Sequence, residues 1–323
     1  MSLVPAEVAR IVRRIFAERG HAWLDDLPRL VEDRCREWRL EVTGPAFTGG
    51  THSYVAPVNR ADGTAAVLKV PVVDEWNVAE PTALYHYGGE GAVLLYEYDA
   101  DSGAMLLERA DPGEPLVSQE HVATAHREGL PEHAGDVEFA ARLYRRLWRV
   151  PGPAPADLPP IPTVVDQAAD WAELFAGYRG DDIPAPMLRE AERLCRVLTV
   201  PDGPVGVANM DNHLGNIVSA RREPWLLIDP KPKLGERAFD AGYLLRIQLE
   251  TTPTEVSAVE YTIRTAEWLE VDPRRAHAWA FVRSMEDLYW GLDEDDADFV
   301  RNMSAVAEVL FATADRIPGK PVV

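Results

Sequence analysis

The densest run of chemically useful side chains is Asn209-Met210-Asp211-Asn212-His213-Leu214-Gly215-Asn216, followed after a turn by the apolar stretch Trp225-Leu226-Leu227-Ile228 and then Asp229. An Asp with an Asn five positions on, then a second Asp closing an apolar strand, supplies what phosphoryl transfer asks of a protein. Asp211 can orient or deprotonate an attacking hydroxyl. Asn216 and Asp229 offer hard oxygens to Mg2+ ions that bridge nucleotide phosphates in such reactions. A polar loop whose acids merely cap turns would explain each piece, but not their order.

Lys69, in Ala66-Val67-Leu68-Lys69-Val70, is the second piece. A charge in an apolar strand is costly without a partner, and Lys69 is the only lysine in the first 230 residues. It reads as a clamp on nucleotide phosphates, paired with a carboxylate on the next helix. Glu80 is the expected partner and Glu75 the alternative. About twenty residues earlier, Thr48-Gly49-Gly50-Thr51-His52-Ser53 offers backbone N–H groups that glycine lets approach a phosphate closely. Gly49, Gly50, Thr51 and Ser53 are therefore expected at the nucleotide, although the segment lacks a full GxGxxG pattern.

These residues need a scaffold. Two helical patterns, about 5–19 and 25–39 with Asp25 or Asp26 capping the second, precede three strands at 40–47, 53–58 and 64–70. A helix over about 78–87 ends at Gly88-Gly89, and strands follow at 92–98 and 104–108. From about 116 the pattern is helical: 117–128, 136–149, 166–178, 184–198, and four long segments between 239 and 315. The exception is 205–229, with short apolar runs at Ile217-Val218 and Trp225 to Ile228 around the polar segment. The proline-rich stretch Pro151 to Pro162 reads as an extended surface connector.

Composition narrows the classes. The chain has 323 residues, 46% hydrophobic and 27% charged, which fits a folded protein of about two domains. Fifty-three acidic against 33 basic side chains give a net charge of -20, the wrong sign for gripping nucleic acid or an anionic membrane. A cationic small ligand suits it better. Cys35 and Cys195 stand far apart with no CxxC pair, and no stretch approaches the ~18 apolar residues of a membrane span. A reducing cytoplasm, no zinc, and a monomer or homodimer are expected. His52, His86 and His213 have no metal-ligand spacing and are read as local hydrogen-bonding residues.

Further segments carry a family pattern: Ala79-Glu80-Pro81-Thr82-Ala83-Leu84, Gly89-Glu90-Gly91-Ala92-Val93, Met105-Leu106-Leu107-Glu108-Arg109-Ala110-Asp111-Pro112-Gly113, Asp211 to Asn216, and Ile228-Asp229-Pro230-Lys231-Pro232-Lys233-Leu234-Gly235-Glu236-Arg237-Ala238-Phe239-Asp240. In this order, from about 45 to 245, the chain resembles the aminoglycoside phosphotransferase superfamily of kinase-like enzymes. Within it, the streptomycin 6-phosphotransferase/hydroxyurea phosphotransferase branch is most similar. The resemblance implies an α+β, bilobal, protein-kinase-like fold, with a small antiparallel-sheet N-lobe (1–109) and a larger, mainly helical C-lobe (110–323). It implies ATP or GTP with Mg2+ between the lobes, a hydroxylated antibiotic as acceptor, and Leu107-Glu108-Arg109 as a hinge whose backbone groups recognise the base. Where the family writes His-Gly-Asp, this chain has Asn209-Met210-Asp211, so Asn209 is expected to support the loop by side-chain hydrogen bonds. Asp240 is expected to brace the same loop, and Lys231 to lie near phosphate or an acid.

For the acceptor, Ser284 to Asp296 combines aromatic residues with an acidic run. Glu286, Asp287 and Trp290 are the expected contacts, with carboxylates suited to guanidinium or ammonium groups. The leading expectation is resistance by phosphorylation of a streptomycin-like aminoglycoside. The competing ones are a kinase for another hydroxylated metabolite and a silent nucleotide-binding pseudokinase. A protein kinase is disfavoured, because Asp-Phe-Gly and Ala-Pro-Glu are missing.

Overall fold

The computed structural model describes residues 3–48, 52–117, 134–294 and 296–323. Gly49, Gly50, Thr51, Asp295 and all but the first residue of the expected helix at 117–128 lie outside them. The chain divides into two compact units. The first comprises 1–114, 153–160 and 218–230, and the second comprises 115–152, 161–217 and 231–323.

In the first unit, α1 (Ala6–Glu37) is broken at Ala17, whose φ of 47° and ψ of -124° are not helical. The sequence places the second helical piece at Asp25 or Asp26. It starts instead just after the break, and Asp26 sits within it, paired to Arg29 at 3.0 Å. Gly20 is required there, since a Cβ would stand 2.5 Å from the Val12 carbonyl oxygen. Five antiparallel strands follow in the order β1-β2-β3-β5-β4: β1 (Glu41–Val42), β2 (Ser53–Asn59), β3 (Ala65–Pro71), β4 (Leu95–Tyr98) and β5 (Met105–Glu108). Alternation assigns the faces. Ala66, Leu68 and Val70 join a buried cluster with Val8, Val12, Leu27 and Val31 of α1, which leaves Lys69 on the opposite face.

The other helix of this unit, α2 (Glu80–Tyr87), begins at Glu80 with Pro81 in its first turn, where a missing N–H costs nothing. It ends at Gly88 in the left-handed conformation, as its Gly-Gly signal indicates. From Val218 onward the unit also carries most of the two-stranded sheet of β7 (Ile217–Ser219) and β8 (Trp225–Leu227). The proline-rich connector is anchored, with the Pro159 carbonyl accepting the Thr82 hydroxyl at 2.5 Å.

The second unit is mainly helical: α3 (Ala134–Leu147), α4 (Val164–Gly177), α5 (Ala185–Leu198), α6 (Ala238–Leu249), α7 (Glu255–Leu269), α8 (Pro273–Asp293) and α9 (Ala297–Thr313). Starts are capped as composition predicts. Thr254 and Ser257 form a capping box on α7, and Asp272, preceding Pro273, accepts the Arg274 and Arg275 amides of α8. Its core centres on Trp279, fully buried on α8, against Phe239 at 5.1 Å edge to face; Phe239 in turn stacks on Trp171 at 6.3 Å. Truncating an aromatic side chain so placed costs about 3 to 5 kcal/mol.

Two strands escaped the sequence reading: β6 (Gly206–Asn209) and β9 (Pro232–Gly235), antiparallel with Asn209 opposite Pro232. Proline and glycine in β9 hide it from propensity, although proline at the first position of a strand is permitted.

Candidate active site

In the first unit, Lys69 sits centrally in the sheet, opposite Val55 on one side and Met105 on the other. Its Nζ donates to Glu80 Oε2 and to Asp229 Oδ1, each at 2.6 Å. Glu80, the expected partner, is fully buried. Burial works against the lysine charge, but the Asp229 and Glu80 carboxylates outweigh it and hold the ammonium well above its ordinary value. Asp229 lies two residues past β8 with φ of 50°. Asp tolerates this left-handed region better than most residues, and a bend there turns the chain just where the carboxylate meets Lys69.

Around this trio, Ser53 opens β2 opposite Pro71. His52 lies 3.4 Å from Asp74 and edge-on to Phe16, a local contact as expected. Leu107 is a buried sheet residue. The Glu108 amide donates to the Leu94 carbonyl at 2.8 Å, so that backbone group of the expected hinge is already engaged. Its carboxylate is held by Arg222 at 2.8 Å through two parallel hydrogen bonds. Arg222 was missed in the sequence, because Arg221-Arg222-Glu223 reads as a solvated turn.

In the second unit, Asp211 follows β6 on a loop closed by the turn Leu214–Asn216, where His213 Nδ1 accepts the Gly215 amide at 3.0 Å. Asn209 performs the supporting task expected of it. Its side chain donates to the Asp211 carbonyl at 2.9 Å and accepts the Lys231 amide at 2.7 Å. Met210 is buried in the core, and its amide donates to the Lys231 carbonyl at 2.8 Å. Asp240 braces the loop too: one carboxylate oxygen accepts the Asn209 amide at 2.8 Å and the Asn212 side chain at 3.2 Å. Burial pushes this carboxyl up to about 7, against the pull of those donors and of Arg237. Asn212, fully buried, was not singled out in the sequence, where its neighbours Asp211 and His213 carry the chemical signal.

Asn216 Nδ2 faces Asp211 Oδ2 at 3.3 Å, which directs the Asn216 amide oxygen elsewhere. Within its own unit each expected metal ligand offers an oxygen of the kind Mg2+ accepts, an amide oxygen at Asn216 and a part-exposed carboxylate at Asp229. Among the described residues, no three His, Cys, Asp or Glu side chains gather to hold a metal by themselves.

The expected acceptor residues on α8 are not free carboxylates. Asp287 lies 2.9 Å from Arg246, which also pairs with Glu250, and Glu286 lies 3.2 Å from Arg283. Burial, opposed by Arg283, pushes the Glu286 carboxyl up to about 7. Trp290 is half exposed, with Phe299 edge-on at 5.9 Å. Both cysteines are free, and burial pushes the Cys195 thiol up to about 12, which leaves it inert.

Residues 37–295 match the model of a family described as aminoglycoside/hydroxyurea antibiotic resistance kinase. Hydroxyurea phosphotransferase of Kitasatospora aureofaciens is 33% identical over 96% of this chain and 86% of its own. Streptomycin 6-kinase of Streptomyces glaucescens is 32% identical over 91% and 92%. Among solved structures, the GDP complex of aminoglycoside 2'-phosphotransferase-IIIa superposes with a TM-score of 0.54 at 12% identity, covering 89% of this chain and 98% of that one. At that identity the likeness establishes the kinase-like fold and nothing finer.

Proposed function

The chain belongs to the aminoglycoside/hydroxyurea antibiotic resistance kinase family, and on that premise we propose that it uses ATP or GTP with Mg2+ to phosphorylate a hydroxyl of a small polyhydroxylated antibiotic. That it is a phosphotransferase follows from the family; the acceptor, the nucleotide and the metal are the proposal. The observation that carries it is the Lys69 ammonium held 2.6 Å from both Glu80 and Asp229. A lysine held by two carboxylates on a sheet face is a fixed positive point for phosphate oxygens. Glu80 keeps it charged and aimed.

In this reading Asp211 accepts a hydrogen bond from the acceptor hydroxyl, orients its oxygen, and takes its proton as that oxygen bonds to the γ-phosphorus and the bond from the γ-phosphorus to the β,γ-bridging oxygen breaks, the nucleoside diphosphate leaving with those electrons. Asn209, Asn212 and Asp240 hold that loop still. Asn216 and Asp229 would hold Mg2+, which when bound supplies charge neutralisation on the nucleotide phosphates. The two side-chain hydrogen bonds made by Asn209 support an active loop over a silent one, since they take up the loop support that the family resemblance assigns to a histidine in that place.

Streptomycin, after which one relative is named, is the first acceptor to try, and the acidic chain favours a cation. A specific observation favours a second reading: Glu286 and Asp287 already pair with arginines, so an acceptor of lower charge, such as hydroxyurea or another hydroxylated metabolite, suits that part of α8 as well. No helix among the described residues is long and apolar enough to cross a membrane, and two free cysteines suit a cytoplasmic setting.

The test is mass-spectrometric detection of phosphate gain on streptomycin, other aminoglycosides, hydroxyurea, amino sugars and nucleoside antibiotics. Each is offered with ATP or GTP and Mg2+, beside an Asp211→Asn control. A gain of one phosphate on one compound, lost in the control, is expected. No product on any compound would remove the resistance reading.

A further inference from the structure

The turn between β7 and β8 contains an arginine whose bonding is out of proportion to its place. Arg222 Nε and Nη2 each donate to Glu108 at 2.8 Å, Nη2 also donates to the Ala92 carbonyl at 2.9 Å, and Nη1 donates to the Gly89 carbonyl at 2.5 Å and to Glu223 at 3.4 Å. All five guanidinium N–H groups are thereby used. Exposed ion pairs contribute little, but a bidentate pair that also grips two backbone carbonyls fixes position as well as charge. Glu108 is engaged in turn, since its Oε2 accepts the Leu94 amide at 3.0 Å. Glu223 extends the grip by accepting the Gly91 amide at 3.1 Å.

What this knot joins gives it meaning. On one side is β5, whose Glu108 pairs with Ala66 on β3, three residues from Lys69. On the other is β8, whose Leu227 amide donates to Gly91 at 2.9 Å while its carbonyl accepts the Val93 amide at 3.0 Å. Two residues beyond Leu227 stands Asp229, in a left-handed conformation that persists only where its surroundings hold it. The segment Gly89 to Val93 is thus clamped from both directions. Gly89 itself, with φ of 84°, has no room for a larger residue: a Cβ would lie 2.7 Å from Leu94.

We propose that Arg222 is a positioning residue for the phosphate and metal side of the site: by tying the β7–β8 hairpin to the end of β5, it sets Asp229 at its contact with Lys69. The inference rests on the kinase reading above and adds to it a residue that touches neither nucleotide nor acceptor. It also gives a use to Glu108, whose carboxylate acts through Arg222 while the neighbouring backbone remains the expected hinge.

The experiment titrates the full chain, wild type and Arg222→Met, with Mn2+ in the presence of a non-hydrolysable ATP or GTP analogue, reading free Mn2+ by its paramagnetic resonance signal. Removing a residue that orients a metal ligand weakens metal affinity by about 10- to 100-fold, and a rise of that order in the Mn2+ dissociation constant is expected. Hydrogen exchange should quicken at the Val93 and Leu227 amides. In turnover, the metal concentration for half-maximal rate should rise while the acceptor KM stays put. Glu108→Gln should add little on top of Arg222→Met, because the two act as one unit. If Arg222→Met does not fold, Arg222→Lys, which keeps the charge but not the bidentate grip, is expected to show a smaller rise. Unchanged Mn2+ affinity in a folded variant, or unchanged exchange at those two amides, would overturn the proposal alone. A folded wild type that binds no Mn2+-nucleotide would remove the kinase reading and this proposal with it.

Discussion

Lys69 shows how much one side chain can decide. It lies in the interior of a five-stranded sheet, and two carboxylates within 2.6 Å make that tolerable. Breaking such a buried arrangement by removing one partner costs about 3 to 5 kcal/mol, because the other charge is left behind. Lys69→Met should therefore lower the urea unfolding midpoint as well as abolish transfer, and Lys69→Met with Glu80→Gln should recover stability but not activity. If the double variant is no more stable than the single one, the pair is not the unit described here. Asp211 is different, because it carries no buried ion pair among the described residues: Asn209 holds its backbone carbonyl and Asn216 one carboxylate oxygen. Asp211→Asn should leave nucleotide binding intact and lower kcat by about 10²- to 10⁴-fold, the usual worth of a positioned base. Asn209→Ala loses two side-chain hydrogen bonds at the same loop and leaves buried groups unpaired, so a stability loss of about 1 to 3 kcal/mol accompanies a fall in kcat. An Asn209→Ala enzyme with wild-type kcat would show that Asp240 alone suffices to hold the loop.

Among the elements, those with a clean period were legible and those made of small or kinked residues were not. The strand bearing Lys69 and the helix opened by Glu80 appear within a residue or two of expectation, because apolar alternation and a Gly-Gly stop are local signals. The break at Ala17, and β6 with β9, are set by what packs against them, which no window of sequence contains. The same holds for Gly235-Glu236-Arg237, part of the last segment that carries the family pattern, which proves to be architectural. A Cβ on Gly235 would stand 2.3 Å from Val164. Glu236 accepts from Arg275 and from the Trp279 indole, each at 2.6 Å, and from the Asp202 amide at 2.9 Å. Arg237 lies over the Trp148 ring at 4.9 Å. A motif next to Asp229 in sequence thus marks a buried knot between β9 and α8. Glu236→Ala should cost about 3 to 5 kcal/mol, seen as a lower denaturant midpoint with unchanged slope, since it strands three donors at once. A loss within about 0.5 kcal/mol, the usual range for surface changes, would mean that the knot is not what holds these elements.

For the molecule as a whole, the buried titrating groups pull in opposite directions with pH, and their balance is measurable. His277, buried on α8 beside Thr313 at 3.2 Å, is pushed down to about 4 by burial. It is neutral when folded and takes up a proton on unfolding between about 4 and 6.5, so by itself it makes stability fall as pH falls through that window. Asp240 and Glu286, both pushed up to about 7, hold protons in the folded chain that they release on unfolding, so they make stability fall as pH rises from about 4 to 7. Two groups outweigh one. Near pH 5.5 the folded chain should hold about one proton more than the unfolded chain at these sites, and stability should decline toward neutrality. Urea titrations between pH 4.5 and 7 test this with variants of opposite sign. His277→Leu removes the opposing group and should steepen the decline, with Thr313 still bonded to the Val309 carbonyl at 2.7 Å. Asp240→Asn, which keeps an oxygen for the Asn209 amide, should flatten it and at neutral pH escape the cost of an ionised buried carboxylate. A flatter slope in His277→Leu, or a steeper one in Asp240→Asn, would show that these groups do not titrate as their surroundings dictate. The charged Asp240 would then be no burden that the fold carries to keep the Asp211 loop in place.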